Sequence, residues 1–275
     1  MRLLQWNVQW CRGVDGRVDP ARIARSAREL GDPDLCCFQE VAVGFDDLPG
    51  SAGEDQVREL ARAFPGHSAH YAVAVDQPGG ADRRRRFGNL LLSRFPVRQV
   101  LRHSLPWPAA EAVPSMPRVA LEAVVETPLG PVRVTTTHLE YYSALQRAAQ
   151  VERLLELETE ARAHAVAIPC AQSAQGPFRH FPRPAAAILA GDFNFRPGDP
   201  EHRRLCSTYA DAWCLACPGA PHPPTFRLYD PERAQAPYCC DFVFVSPELA
   251  ARVQAVHVDA GCLASDHQPV LVEFG

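Results

Sequence analysis

Three short polar strings constrain this chain more than any other feature of its sequence. Phe38-Gln39-Glu40 and Gly191-Asp192-Phe193-Asn194 each follow an apolar run, and Ser265-Asp266-His267 lies near the C-terminus. Each string sets a carboxylate, an amide or an imidazole at the end of a segment with the composition of a buried strand. Buried carboxylates are costly unless a cation lies among them. The pattern therefore predicts a divalent metal ion and a phosphate ester at these strand ends.

The composition excludes several classes of protein. With 275 residues, 47% of them hydrophobic and 22% charged, the chain is typical of a globular protein, and we expect a single domain over 1–275. A net charge of −4 disfavours bulk nucleic acid as the main partner. All 28 basic residues are arginines, which excludes Schiff-base and lysine-nucleophile mechanisms. The chain shows no export signal and no apolar run of membrane-spanning length, which predicts a cytoplasmic protein with reduced cysteines.

One pair of the ten cysteines has the spacing of a metal site. Cys214-x-x-Cys217, with Cys206 and His222 nearby in the sequence, is compatible with half of a zinc site. A second CxxC is lacking, so unrelated core or loop thiols are the simpler interpretation.

Helix and strand patterns alternate along the chain. Asp19-Pro20 predicts the start of a helix, and Ser51-x-x-Glu54 has the pattern of a capping box that opens another. A long amphipathic helix is predicted over 143–164 and a short one from Asp199-Pro200. Strands are predicted at 2–8, 35–38, 69–75, 87–92, 97–103, 117–126, 131–138, 185–190, 240–246, 253–259 and 268–273. Helices between long strand runs predict an α/β fold with two sheets packed face to face.

Three oxygen-bearing side chains are candidates to bind the metal. Mg²⁺ prefers oxygen, takes few ligands from a protein and keeps several waters. Glu40 is the best candidate for a direct carboxylate ligand, and Asn7 offers a neutral carbonyl oxygen beside it. Asp266 is a further carboxylate, bound directly or through water. The alternatives are a surface carboxylate for Glu40 and a buried amide bonded to loop backbone for Asn7.

Asp192 and Asn194 are candidates to handle the attacking water. They lie two residues apart at a strand end, so both side chains can face the same side. Asp192 is suited to orient or deprotonate the water, and Asn194 to hold that water or a phosphoryl oxygen. Gly191 is expected to let the backbone turn tightly there. Gly-Asp-x-Asn is also a common turn composition, so this string alone is a weak signal.

Two histidines are candidates to act on the phosphate. His267 is suited to donate to the phosphate or to assist proton transfer if a carboxylate fixes its tautomer. Asp241, which opens the apolar run 242–245, is the candidate for that carboxylate. His138 ends the predicted strand 131–138 and is a candidate second imidazole on the phosphate. The alternatives are structural roles for both histidines and a strand-start cap for Asp241.

In their order along the chain, these strings resemble the endonuclease/exonuclease/phosphatase superfamily. That group includes exonuclease III-like nucleases, neutral sphingomyelinases and inositol polyphosphate 5-phosphatases. The resemblance runs from Trp6-Asn7 to Gln268-Pro269, and Gly-Asp-Phe-Asn followed by Ser-Asp-His is its most specific part. It implies a four-layer α/β sandwich of two mixed β-sheets packed face to face with helices outside. It also implies Mg²⁺ or Mn²⁺ as the cofactor.

The resemblance implies roles that agree with those argued above. The residues concerned are the metal-binding Asn7, Glu40 and Asp266, the water-activating Asp192 with its partner Asn194, and the Asp241–His267 pair. In Arg86-Phe87-Gly88-Asn89-Leu90, Asn89 matches a position that family members use near the phosphate.

Three features indicate which branch of the superfamily the chain resembles most. Gln9 stands where abasic endonucleases of this fold usually carry an acidic residue, and Thr136-Thr137-His138-Leu139 replaces their tyrosine-containing segment. Both differences favour the phosphatase, sphingomyelinase and general phosphodiesterase members. The run Arg83–Arg86 favours a polyanion if it lines the cleft, although a solvated loop is the simpler interpretation. Trp10, Tyr141 and Tyr142 are candidate apolar walls.

Three hypotheses follow. The first is a Mg²⁺- or Mn²⁺-dependent phosphoesterase acting on a small or lipid-derived phosphate ester. The second is a nuclease on DNA or RNA, and the third is a non-catalytic binding protein on the same fold. The retained set of candidate residues favours an enzyme over the third hypothesis.

Overall fold

The computed structural model describes residues 1–80, 83–168, 176–230 and 235–275. Within these ranges the strands are β1 (Arg2–Asn7), β2 (Leu35–Val43), β3 (Ser68–Pro78), β4 (Arg84–Ser93), β5 (Val97–Ser104), β6 (Val119–Thr127), β7 (Gly130–His138), β8 (Ala187–Asp192), β9 (Ala210–Asp211), β10 (Asp241–Val245), β11 (Val253–Val258) and β12 (Val270–Phe274). The helices are α1 (Pro20–Gly31), α2 (Gln56–Ala63), α3 (Ala144–Val166), α4 (Pro200–Cys206), α5 (Ala212–Ala216) and α6 (Pro247–Ala250).

The strands form two mixed sheets of six strands each. The order is β11-β12-β1-β2-β4-β3 in the first sheet and β5-β6-β7-β8-β10-β9 in the second. In the first, β1 is parallel to β2 and antiparallel to β12. In the second, β7 is parallel to β8 and antiparallel to β6. The predicted α/β fold with two mixed sheets is confirmed.

The two sheets face each other across a shared apolar core. Leu3 and Leu91 of the first sheet meet Val134 and Val243 of the second in this core. The outer face of the first sheet packs under α1 and α2, and that of the second under α3 and α4. Both faces are buried in central strands such as β1, β8 and β10, which are therefore visible in the sequence as continuous apolar runs.

The register of the strands brings polar strand ends to one edge of the sandwich. In the first sheet, Asn7 of β1 lies opposite Gln39 of β2. In the second, His138 of β7 is paired with Asp192 of β8, which is paired in turn with Asp241 of β10. Residues far apart in the sequence are therefore neighbours at this edge.

The expected start of the second helix was wrong. The N-cap of α2 is Asp55, whose side chain accepts a hydrogen bond from the backbone N–H of Arg58. The Ser51 hydroxyl instead contacts the Glu54 carboxylate at 3.2 Å in the loop before the helix. Asp55 caps the helix because it stands directly before the first turn, where its carboxylate reaches a free backbone N–H.

Gly191 is needed for a reason other than a tight turn. The residue lies inside β8, and a Cβ atom added there would come 2.2 Å from the carbonyl oxygen of Thr137. The close approach of β7 therefore requires a residue without a side chain.

Among the residues described, no helix has both the length and the apolarity to cross a membrane.

Candidate active site

A cleft of about 520 Å³ opens where the strand ends of the two sheets meet. Its wall contains most of the predicted site residues together with an arginine. These residues are Glu40, Arg118, His138, Asp192, Asp266 and His267. The fold therefore assembles the separate sequence strings into one concave site.

A bulge in β2 places Glu40 in the cleft. The pairing with β4 shifts register between Phe38 and Val41, and Glu40 has a φ of +58°. A non-glycine residue in this left-handed conformation costs about 1–2 kcal/mol, and bulges re-aim side chains next to active sites. The expectation that Glu40 ends its strand was wrong, because β2 continues to Val43.

Asn7 joins the two sheets through its side-chain amide. Its Nδ2 donates to Glu40 Oε1 and to Asp192 Oδ2, both at 3.0 Å. Its Oδ1 accepts the backbone N–H of Gln9 at 3.0 Å. Asn7 is fully buried, so these bonds hold one carboxylate from each sheet at a fixed separation.

Asp241, His267 and Asp192 form a line of hydrogen-bonding and ionic contacts. Asp241 Oδ2 accepts from His267 Nδ1 at 2.8 Å and from the Thr225 hydroxyl at 2.7 Å. The other ring nitrogen, Nε2, lies 3.7 Å from Asp192 Oδ2. Phe226 stacks on the imidazole with ring centroids 4.4 Å apart. The position of the His267 ring is thus fixed from two sides.

The charges in this line shift the pKa values of its members. Burial alone lowers the pKa of His267, but the negative charges of Asp241 and Asp192 outweigh burial and raise the pKa to about 10. Burial raises the pKa of Asp192 to about 6, against the opposing charge of His267. At neutral pH the site therefore contains a protonated imidazole beside an ionised carboxylate that can still accept a proton.

The carboxylates at the mouth of the cleft repel one another. Burial, followed by the charge of Asp266, raises the pKa of Glu40 to about 7. Burial also raises the pKa of Asp266. The main neutral partner of Asp266 is Gln9, whose Nε2 donates to Oδ2 at 2.6 Å. Gln9 thus supplies an amide donor to this carboxylate.

His138 approaches the same oxygen of Asp192 as His267 does. Its Nε2 is 3.4 Å from Asp192 Oδ2, and its Nδ1 is 3.9 Å from Glu40 Oε1. Burial, together with the positive charge of Arg118, lowers the pKa of His138 well below its ordinary value. The two histidines of the cleft therefore differ in protonation at neutral pH: His138 is neutral and His267 is charged.

Arg118 is the site residue that the sequence interpretation missed. Its side chain is 6% exposed, and its Nη2 lies 3.2 Å from Glu140 Oε2. Its Nη1 is buried and has no hydrogen-bond partner among the residues that the structure describes. The sequence shows a single arginine at the start of an apolar strand, which is unusual enough to notice. It does not show that one nitrogen of this side chain has no hydrogen-bond partner beside the cleft.

The two remaining predicted phosphate ligands lie in different surroundings. Asn194 lines the cleft with a φ of +53°, and its Nδ2 donates to the carbonyl of Leu139 at 2.9 Å. Asn89 is buried behind the cleft, where its Nδ2 donates to the carbonyl of Val119 at 2.8 Å. It borders a small separate cavity shared with Glu40, Arg118 and His138. The role of Asn89 at the phosphate stays a prediction.

The arginine run lies outside the cleft wall. Arg84, Arg85 and Arg86 belong to β4 rather than to a loop. Arg84 and Arg86 contact Asp76, and Arg85 contacts Asp46 and Asp47. These acidic partners offset the charge that would otherwise attract a polyanion. Aromatic side chains line the cleft instead, namely Trp10, Phe87, Tyr141, Tyr142 and Phe226.

The model of the Endonuclease/Exonuclease/phosphatase family matches residues 4–267, and the chain belongs to this family. Its two mixed sheets with outer helices form the fold expected for that family. No curated protein gives a match.

Solved structures share the fold over the whole chain. An endonuclease/exonuclease/phosphatase from Beutenbergia cavernae is 28% identical with a TM-score of 0.69, covering 100% of this chain and 72% of that one. The mannosyl-6-phosphatase Bt3783 from Bacteroides thetaiotaomicron is 18% identical with a TM-score of 0.71, covering 100% and 99%. A humanized D. rerio TDP2 is 18% identical with a TM-score of 0.66, covering 100% and 98%.

Proposed function

We propose that this protein is a divalent-metal-dependent phosphoesterase that hydrolyses a phosphodiester or a phosphomonoester by in-line attack of an activated water. The observation that carries the proposal is the position of Asp192. Its carboxylate lies between the Asn7 amide and the two histidines, and burial raises its pKa to about 6. A carboxylate of this pKa at the wall of a cleft is suited to take a proton from water near neutral pH.

The donor set at the mouth of the cleft fits Mg²⁺ or Mn²⁺. Glu40 and Asp266 present carboxylate oxygens, and burial followed by the charge of Asp266 raises the pKa of Glu40. Hard cations prefer such oxygen ligands, and Glu40 and Asp266 would hold the ion with Asn7 beside them. When bound, the cation would polarise the phosphoryl group and stabilise its developing negative charge.

The residues of the chain supply the remaining steps. Asp192 accepts a proton from the attacking water, and Asn194 orients that water or a phosphoryl oxygen. His267, held protonated by Asp241, donates from Nε2 to a non-bridging oxygen as negative charge develops there. The guanidinium of Arg118 and the neutral imidazole of His138 both line the cleft where the phosphoryl group would bind. Their fixed orientation means that little reorganisation is needed during the reaction.

A small or lipid-derived substrate is favoured over nucleic acid. The rim of the cleft is aromatic, and Asp46, Asp47 and Asp76 pair with the arginine run. An extended polyanion would need a basic stripe beside the site. One structural neighbour is a mannosyl-6-phosphatase, so a sugar phosphate belongs in the first set of substrates to be tried.

The test is hydrolysis with Mg²⁺ or Mn²⁺ of four substrates: bis-p-nitrophenyl phosphate, p-nitrophenyl phosphate, mannose 6-phosphate and a fluorescent abasic-site duplex. Asp192→Asn is the inactive variant, and Asp32→Asn, at an exposed residue paired with Arg94, is the matched control. We expect wild type and control to hydrolyse a small ester and Asp192→Asn to lose that activity. Preferential cleavage of the duplex would move the proposal to a nuclease. Equal rates for wild type and Asp192→Asn would contradict the mechanism.

A further inference from the structure

A second cluster of metal-ligating side chains lies at the edge of the second sheet, outside the cleft. Asp211 ends the edge strand β9, His202 belongs to α4, and His222 belongs to the proline-rich loop over 218–224. Asp211 Oδ2 lies 3.0 Å from His202 Nε2 and 2.8 Å from His222 Nε2. Two imidazoles thus approach a single carboxylate oxygen.

We propose that His202, Asp211 and His222 bind a zinc ion. Their nitrogen, oxygen and nitrogen donor atoms all lie within 4.8 Å of one another. Tetrahedral zinc, with bonds of about 2.0–2.2 Å to nitrogen and oxygen, separates its ligand atoms by roughly 3.3 Å. The two nitrogen–oxygen distances, 3.0 and 2.8 Å, therefore need to widen by only a few tenths of an ångström to take up the ion.

Cys206 lies close to His202 but outside this group of donors. Its Sγ is 3.8 Å from His202 Nε2, yet Cys206 is exposed and does not share the 4.8 Å grouping of the other three donor atoms. Zinc held by three protein ligands takes a water in the fourth position. Each imidazole would bind zinc through Nε2 and carry its proton on Nδ1. For His202 this requires the Gly198 N–H, which donates to Nδ1 at 3.3 Å, to turn away from the ring.

The surroundings of the cluster hold its ligands in place. The second oxygen of Asp211 accepts the backbone N–H of Trp213 at 2.9 Å, which fixes the carboxylate. The ring centroids of Phe242 and Phe244 lie 5.2 and 5.7 Å from that of His202, so the site has an apolar wall. His202 is 8% exposed and Asp211 is 5% exposed.

This assignment changes the expected zinc ligands. Of the residues considered from the sequence, His222 belongs to the group, and His202 and Asp211 join it. Cys206, Cys214 and Cys217 join no metal-ligating group among the described residues. The interpretation of these thiols as unrelated to a metal site is therefore the one that the structure favours.

The position of the site suggests what the zinc does. It would join α4 and β9 to the loop that carries His222, three residues before Thr225. Thr225 donates to Asp241, the carboxylate that orients His267. The zinc would thus stabilise the segment that supports the catalytic Asp–His pair.

The first experiment measures zinc in the full chain after exposure to zinc chloride and dialysis against zinc-free buffer. The variants are His222→Gln, the matched control His257→Gln at an exposed position of β11, and Glu40→Gln in the cleft. We expect a single retained zinc ion per chain in wild type, His257→Gln and Glu40→Gln, and its loss in His222→Gln. Absence of zinc from wild type, retention by folded His222→Gln, or loss only in Glu40→Gln would overturn the proposal.

A second measurement on wild type holds even if His222→Gln does not fold. Co²⁺ in place of zinc should give the intense visible bands of a tetrahedral complex without a sulfur-to-cobalt charge-transfer band. The weak spectrum of octahedral Co²⁺ would overturn the site. A sulfur-to-cobalt charge-transfer band would show that a cysteine binds the ion and would overturn the assignment of the three ligands.

Discussion

Two groups of buried charged side chains lie along the second sheet, and they differ in how fully opposite charges compensate one another. The first, which we call the arginine network, consists of Glu122, Arg133, Glu158 and Arg183. Arg183 donates to Glu122 Oε1 at 2.9 Å and Oε2 at 3.1 Å, and Arg133 donates to Glu158. The second group is the cleft, where Asp192 faces two histidines and other carboxylates. Glu122 is 2% exposed and Asp192 is 1% exposed, so burial does not distinguish them.

The pKa values of these two carboxyl groups move in opposite directions. Burial raises the pKa of both, but in Glu122 a hydrogen bond from His103 and the charges of Arg133 and Arg183 outweigh it and lower the pKa. In Asp192 the opposing charge is weaker, and the pKa rises to about 6. The comparison teaches that charge balance, rather than burial, separates a structural ion network from a site prepared for a cation and a proton transfer.

Asp192→Asn should have the largest effect of the substitutions considered, and it should change catalysis in the cleft rather than stability. Removal of the proton acceptor should reduce kcat by roughly 10²–10⁴-fold, the usual contribution of a general base. Because Asn is neutral, the folded state should lose no stability. Steady-state kinetics and thermal unfolding of the same samples check both statements, and a kcat near that of wild type would remove Asp192 from the mechanism.

Arg133→Met tests the structural role of the arginine network. Removal of one partner from a buried ion pair lowers the free energy of unfolding by about 3–5 kcal/mol. Because Arg162 and Arg183 still pair with Glu158 and Glu122, we expect a loss of about 3 kcal/mol for Arg133→Met. The matched control is Arg98→Met, which removes an exposed pair with Glu126 and should cost less than about 1 kcal/mol. Urea unfolding gives both values, and equal values would contradict the structural role of the network.

Glu40→Gln should stabilise the metal-free protein. The pKa of Glu40 rises from 4.5 to about 7 on folding, so its stabilising contribution is complete below pH 4.5 and is lost as the pH rises through 7. At pH 8 the neutral glutamine should therefore add on the order of 1–2 kcal/mol to the free energy of unfolding, discounted because the side chain is 19% exposed. The gain should vanish at pH 4, and a gain that is independent of pH would contradict this explanation.

Asp241→Asn should shift the pH dependence of the reaction. The charge of Asp241 helps to raise the pKa of His267 to about 10, and the activity requires this imidazole in its protonated form. Without that charge, the alkaline limb of kcat/KM should move to lower pH by roughly one to two units. The acid limb, set by Asp192 with a pKa of about 6, should also move to lower pH, because the charge of Asp241 is one of the causes that raise this pKa after burial. An unmoved alkaline limb would mean that another group sets it.

The sequence predicted the fold and most of the cleft because buried strands and their polar ends are local patterns. Asp192, Asp241 and His267 follow or open apolar runs, and their contacts are consequences of strand register. The left-handed conformation of Glu40 and the unpaired nitrogen of Arg118 depend on neighbours from distant segments. Local composition cannot report such contacts.

One other local signal misled for the same reason. Arg83–Arg86 looked like an exposed basic loop, but the acidic partners of Arg84, Arg85 and Arg86 lie in other segments at 46, 47 and 76. The cluster at the far end of the sheet is built around Asp211, which the sequence did not single out.

The most direct test of the account is the effect of Mn²⁺ on thermal unfolding of wild type, Glu40→Gln and the surface control Glu126→Gln. Mn²⁺ at 100 times its Kd should add about 2.7 kcal/mol to wild type and control, raising Tm by roughly 5–10 °C. Glu40→Gln should begin with a higher Tm without metal and gain much less from Mn²⁺. An equal rise in all three proteins would show that the carboxylates of the cleft do not bind the cation, and would contradict the account.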